Sequence, residues 1–142
     1  MTTAAALNAL CEMLRIQTGT TVVLGVPDDA IPAIYVWPWK LDEVMTLRNR
    51  PPPASPSPGA PFATPAQNIQ FLVLVRPALT IKGLSTLDGV HEAINGHPLL
   101  NVDGTNVQIL LSPLSTAELT SVFSAASIPL TVCLSAVLKQ VR

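Results

Sequence analysis

Between Pro51 and Pro65, seven of fifteen residues are proline, and neither a helix nor a central strand can cross such a stretch. Each proline lacks a backbone donor and holds φ near one value. Pro51-Pro-Pro-Ala-Ser-Pro-Ser-Pro-Gly59 therefore favours an extended, polyproline-like course. Regular structure must lie on either side of it. The segment reads either as an arm that reaches onto a neighbour or as a long hairpin insertion, and the charged stretch Leu41 to Arg50 leads into it.

On the N-terminal side, Leu7, Leu10, Cys11 and Leu14 repeat at helical spacing, which predicts an amphipathic helix from Thr3 to Arg15 stopped at Gly19. Thr20 to Val26 is β-branched and predicts a strand. Pro27-Asp28-Asp29 is a turn signal, and a second strand follows from Ala33 to Trp39. Pro38 has no N–H for a ladder bond, so this strand lies at an edge or carries a bulge there.

Beyond the prolines, Ile69 and the run Phe71-Leu-Val-Leu-Val75 leave no polar face, which predicts a central strand buried on both sides over Asn68 to Arg76. Ser85 or Thr86 is the expected cap of a second helix that ends near Gly96, with Leu87, Val90 and Ile94 inward. Asn101-Val-Asp-Gly104 signals a turn before a strand over Val107 to Leu111. Ser115-Thr-Ala-Glu118 has the spacing of a capping box and opens a third helix with Leu119, Val122, Phe123 and Ala126 on one face. From Ile128 to Leu138 apolar residues alternate, which predicts a last strand with Leu130, Val132, Leu134, Ala136 and Leu138 facing the core. Helices and strands in this order describe an α+β domain spanning 1–142, without internal repeats.

Charge bears on function. Eight basic and nine acidic residues give a net charge of −1, which lacks the basic footprint of a nucleic-acid-binding domain. Charged residues are only 12% of the chain, and from Val107 to Leu138 the one charge is Glu118. Either the C-terminal third holds the core, or part of this apolar surface is covered by a partner. A membrane span is not expected: the uncharged window Leu119 to Leu138 contains Pro129, four serines and two threonines, and its second half alternates with period two. The N-terminus has no basic, apolar leader pattern, so the expected location is the cytoplasm, unless the chain leaves in a larger particle.

Residue types that carry chemistry are sparse. His91-Glu92 resembles the start of a zinc-binding helix, but the position four residues on is Asn95, and His97 sits beside a helix-ending proline. Asp28-Asp29 and Asp42-Glu43 are explained by turns and strand ends. No nucleophile elbow or phosphate-binding loop occurs. Cys11 and Cys133 are expected as separate buried thiols. No enzyme, metal or cofactor is expected. Trp37 and Trp39, at i and i+2, share a strand face, where they either pack in the core or anchor a subunit contact.

The run Val107-Gln-Ile-Leu-Leu-Ser-Pro-Leu-Ser-Thr-Ala-Glu-Leu-Thr-Ser-Val-Phe123, continued by Pro129-Leu-Thr-Val-Cys-Leu-Ser-Ala-Val137, resembles the closing segment of the N-terminal domain of cap, or tube-terminator, proteins of phage-tail-like contractile injection systems. Ile31-Pro32, Arg48 to Pro53, Ile69 to Val75, Val90-His91 and His97 to Leu100 extend the resemblance upstream. Many of these proteins carry further C-terminal sequence, and their central strand is often more charged than Phe71 to Arg76.

The resemblance implies a tail-terminator-like fold, here a mixed, mainly antiparallel sheet of four to five strands flanked by three helices. It also implies a structural role: a homohexameric ring at the distal end of the inner tube and sheath that ends polymerisation. A ring subunit uses several interfaces at once, which agrees with the charge-poor composition. Trp37, Trp39, Arg48, Arg50, Pro52 and Pro53 are the expected subunit, tube or sheath contacts. The alternatives are a bacteriophage tail terminator joining tail to head, a peptide-binding adaptor, and an enzyme built on Asp28, Asp29 or His91.

Overall fold

The computed structural model describes residues 2–43 and 67–140. Helix α1 (Thr3–Thr18) starts at Thr2, whose hydroxyl accepts the Ala5 N–H at 3.1 Å, and stops at Gly19. There φ is +66°, and the Gly19 N–H reaches the Arg15 carbonyl at 2.9 Å, the left-handed cap that glycine favours. Ala6, Leu7, Leu10, Met13 and Leu14 are buried along one stripe. The helix runs one turn past the expected Arg15.

Strands β1 (Val22–Leu24), β2 (Ala33–Glu43), β3 (Gln67–Arg76), β4 (Leu99–Val102), β5 (Thr105–Leu111) and β6 (Leu134–Gln140) form one sheet in the order β1-β2-β3-β6-β5-β4. Only β1 and β2 run parallel. The sheet thus has six strands rather than four to five. The uncounted one is β4, which pairs with β5 through a tight turn at Asp103 and Gly104, with φ of +51° and +81°. β2 shifts register between Pro38 and Lys40, and β1 pairs it only as far as Val36. Pro38 therefore sits at both a bulge and a free edge.

The long β3 is buried on both faces, as its unbroken apolar run requires. Ile69, Phe71, Val73 and Val75 join a core with α1 and helix α2 (Ile81–Gly96), while Leu72 and Leu74 face helix α3 (Thr116–Ala125). Beside Ala33, Tyr35 and Trp37, the second core contains Phe123, the one fully buried residue of α3. Ser115 caps α3: its hydroxyl accepts the Glu118 N–H at 3.1 Å, and the Glu118 carboxylate lies 3.1 Å from the same hydroxyl.

Two further expectations change. The cap of α2 is Thr80, which accepts the Gly83 N–H at 3.0 Å, so the helix begins about a turn before Ser85. The last strand starts at Leu134 and not at Ile128. Ser127 has φ of +57°, Pro129 follows, and residues 128–133 run irregularly. The alternation of Leu134, Ala136 and Leu138 onto the α1/α2 core does hold.

Gly83 has a packing reason. A Cβ there would lie 2.1 Å from the Pro77 carbonyl oxygen, whereas one at Gly89 in the same helix would meet nothing within 4 Å. Gly83→Ala should therefore destabilise the fold by about 2 kcal/mol through overpacking. Gly89→Ala should stabilise it by about 0.5–1 kcal/mol from helix propensity. Urea unfolding of the two variants checks the opposite signs, and equal shifts would remove the steric assignment.

Candidate functional site

The acidic pairs do not converge. The Asp28 carboxylate accepts its own turn's Ala30 N–H at 2.9 Å, and Asp29 lies 2.7 Å from Arg76 Nε. Asp42 contacts Lys40 at 3.3 Å and accepts from the Gln70 amide on the neighbouring strand. His91 meets Asn95 at 3.4 Å on the exposed side of α2, and His97 Nδ1 lies 3.2 Å from the Ala93 carbonyl. Among the described residues no three His, Cys, Asp or Glu side chains come together.

Cys11 and Cys133, expected to be buried, are only half-buried: Cys11 packs against the α1/α2 core and Cys133 against the α3 core, so the sheet separates the two free thiols. Burial pushes the Cys11 thiol up to about 11 and raises that of Cys133 as well. Because only the thiolate attacks, alkylation of Cys11 by iodoacetamide at pH 8 should run about 100-fold slower than that of a free thiol and accelerate until pH passes about 11. Peptide mapping after timed alkylation reads this, and modification at the free-thiol rate would contradict the burial.

Trp37 is only 7% exposed and meets the Phe123 ring edge to face, with centroids 5.3 Å apart and planes at 85°. It packs inside the subunit. Trp39, on the same face after the bulge, is half-buried, and its Nε1 is enclosed without a hydrogen-bond acceptor. Trp37, Pro38, Trp39 and Val122 line an open groove of about 570 Å³ between the β2 edge and α3. Arg48, Arg50, Pro52 and Pro53 lie outside the described residues.

Sequence reasoning missed a second surface. Leu130 and Val132, expected to face inward, are 51% and 46% exposed, because the irregular path after Ser127 turns them out. They line an open trough of about 460 Å³ with Leu79, Leu119 and Cys133. Leu79 is 78% exposed and Ile81, at the start of α2, is 87% exposed. Large aliphatic side chains this open, in a chain with few charges to offset them, form an exposed apolar patch beside α3. No helix among the described residues is long and apolar enough to cross a membrane.

Comparison with protein-family models and with curated protein sequences yields no match. Comparison of folds does. The whole chain superposes on the sheath/tube terminator, in its extended state, of the extracellular contractile injection system PVC, with a TM-score of 0.74 at 12% identity. It also superposes along its whole length on the tube-terminating cap of the anti-feeding prophage AFP, with a TM-score of 0.76 at 16% identity. The chain spans 57% of the first protein and 56% of the second. The α+β fold is therefore the tail-terminator-like one that the resemblance implied.

Proposed function

We propose that this chain is a cap of a contractile injection system: it binds the distal end of the inner tube and sheath and ends their polymerisation. The observation that supports this most is the superposition of its entire length on two terminators. The exposed aliphatic residues and the scarcity of charge fit a subunit that spends its working life in contact with others.

In this reading residues 1–142 act as one cap domain that closes into a homohexameric ring, using different patches on its two sides. Six linked copies meet a six-fold target together, so each contact can be weak while the assembly holds. Trp39 and its groove are one contact surface, and the segment carrying Arg48, Arg50, Pro52 and Pro53 reaches the tube or sheath. The role is structural and requires no turnover, cofactor or nucleic acid. Assembly takes place in the bacterial cytoplasm as part of a phage-tail-like particle.

Production of the particle with and without this chain tests the proposal. With it, electron microscopy should find tubes and sheaths of uniform length ending in a ring that contains the chain. Without it, lengths should spread widely. Uniform particles in its absence, or a purified chain that stays monomeric beside its tube, would overturn the reading. Deleting Pro52 to Pro61 should leave the circular dichroism spectrum unchanged and weaken attachment to the particle end, measured by co-sedimentation.

A further inference from the structure

Arg76 closes the apolar strand β3 and is the one charged residue buried among the described residues, at 9% exposure. A guanidinium offers five N–H donors in a planar fork, and burying it leaves a cost for each donor without an acceptor. Its ion-pair partner is Asp29. The Asp29 carboxylate lies 2.7 Å from Nε but off the N–H axis, so Nε makes no hydrogen bond, and the Asp29 side chain is 91% exposed. This is an ion pair in which one member is buried, with its Nε lacking a hydrogen-bond acceptor, while the other is almost wholly in water.

The surroundings say what would complete it. Arg76 and Asp29 line a cavity of about 410 Å³ whose other walls are Pro77, Ala78, Leu79, Pro129, Leu130 and Thr131. That cavity shares Leu79, Leu130 and Thr131 with the aliphatic trough over Leu119 and Val132. Asp28, the other nearby acid, is held in its own turn by the Ala30 N–H, and the Tyr35 hydroxyl fixes that turn through the carbonyls of Asp28 and Ile31, at 2.9 and 2.6 Å. Just past Leu79, α2 presents its N-terminal end with no acidic residue in the first turn, which adds positive potential.

We infer that the Arg76 cavity and its adjoining trough form a binding site for a carboxylate borne on an apolar stretch of a partner polypeptide. The carboxylate takes the guanidinium fork in place of Asp29, and the flanking aliphatic groups lie along Leu79, Leu130 and Val132. The cavity and the trough share Leu79, Leu130 and Thr131 and are both open to solvent, which favours a chain segment over a small enclosed metabolite. The site is independent of the capping proposal, because it is read on the isolated chain.

Hexanoate serves as the minimal probe, followed by NMR of the arginine Nε–H signals and the backbone amides. Saturable shifts are expected at Arg76, Leu79 and Leu130, absent with hexanol and much weaker with inorganic phosphate. Asp29→Asn, at an exposed position, should tighten hexanoate binding about threefold or more by removing the competing carboxylate. Leu79→Asp, also exposed, should weaken it at least fivefold by placing a negative charge at the mouth. Arg76→Leu should abolish binding, and the two exposed variants keep the test valid if that protein fails to fold. Weaker binding by Asp29→Asn, unchanged binding by Leu79→Asp, or equal responses to hexanoate and phosphate would each overturn the inference.

Discussion

Replacing Phe123 with alanine should lower the unfolding free energy by about 3–5 kcal/mol, the range for deleting a buried aromatic ring. Phe123 is 1% exposed and is the only residue of α3 that is fully buried, so it is the main anchor of that helix on the sheet. The edge-to-face contact with Trp37 adds about 0.5–1.5 kcal/mol beyond the area term, and the cavity left behind opens beside the indole. Urea unfolding followed by tryptophan fluorescence reads both effects. The midpoint should fall and the native emission should shift to the red as water reaches Trp37. A loss below about 1 kcal/mol would mean that α3 is not held through this ring. For the same reason Trp37→Glu should act first on folding, and any effect on a ring would follow from that.

Placing a carboxylate in β6 should be more damaging. Ala136 is 1% exposed, faces the α1/α2 core, and pairs with Phe71 of β3 on one side and Leu111 of β5 on the other. β6 is the strand through which the β4/β5 hairpin joins the rest of the sheet. Ala136→Asp should therefore cost about 4 kcal/mol or more, enough to unfold much of a domain of ordinary stability at neutral pH. The sign of the pH dependence follows from burial. Desolvation raises the introduced carboxyl above its unfolded value near 4, so the deficit relative to the parent should be largest at neutrality, shrink as pH falls through the raised value toward about 4, and level off below that. Leu110→Asp, on the more exposed side of β5, should cost well under half as much. Equal losses in the two variants, read by urea unfolding at pH 4 and 7, would contradict the placement of β6 in the centre of the sheet.

Much of the fold was legible because its signals are local. The α1 stripe, its Gly19 stop and the Ser115 cap each depend on residues close in sequence. The doubly buried β3 needed only its own unbroken apolar run. β4 escaped notice because Leu99 to Val102 is four residues long and follows directly on a helix end. Thr80 escaped as a cap because the periodic apolar positions start nearly two turns later, at Leu87, and because the reason for Gly83 is a contact with Pro77.

The candidate surfaces divide the same way. Trp37 and Trp39 stood out by rarity and spacing, yet alternation along a strand cannot tell an inner face from a partner's face. Only the arrival of Phe123 on that side buries Trp37. Leu130 and Val132 obeyed the alternation and still point outward, because the left-handed turn at Ser127 breaks the strand before Leu134. Arg76 did have a signal, a lone arginine ending an apolar strand. Its meaning depended on Asp29 and Leu130, which approach it from distant parts of the chain.

What the sequence determined by itself is therefore most of the elements, the stop at Gly19 and the cap at Ser115, and the scarcity of charge from Val107 to Leu138, where Glu118 is the one charged residue. Backbone preference, periodicity and side-chain polarity act over a few residues and leave their mark in order along the chain. What only the tertiary structure decided is the insertion of β6 between β3 and β5, the burial of one tryptophan, and the placing of one buried arginine beside Asp29 in a largely apolar cavity. Those depend on contacts between residues dozens of positions apart, and burial is a property of what finally covers a side chain.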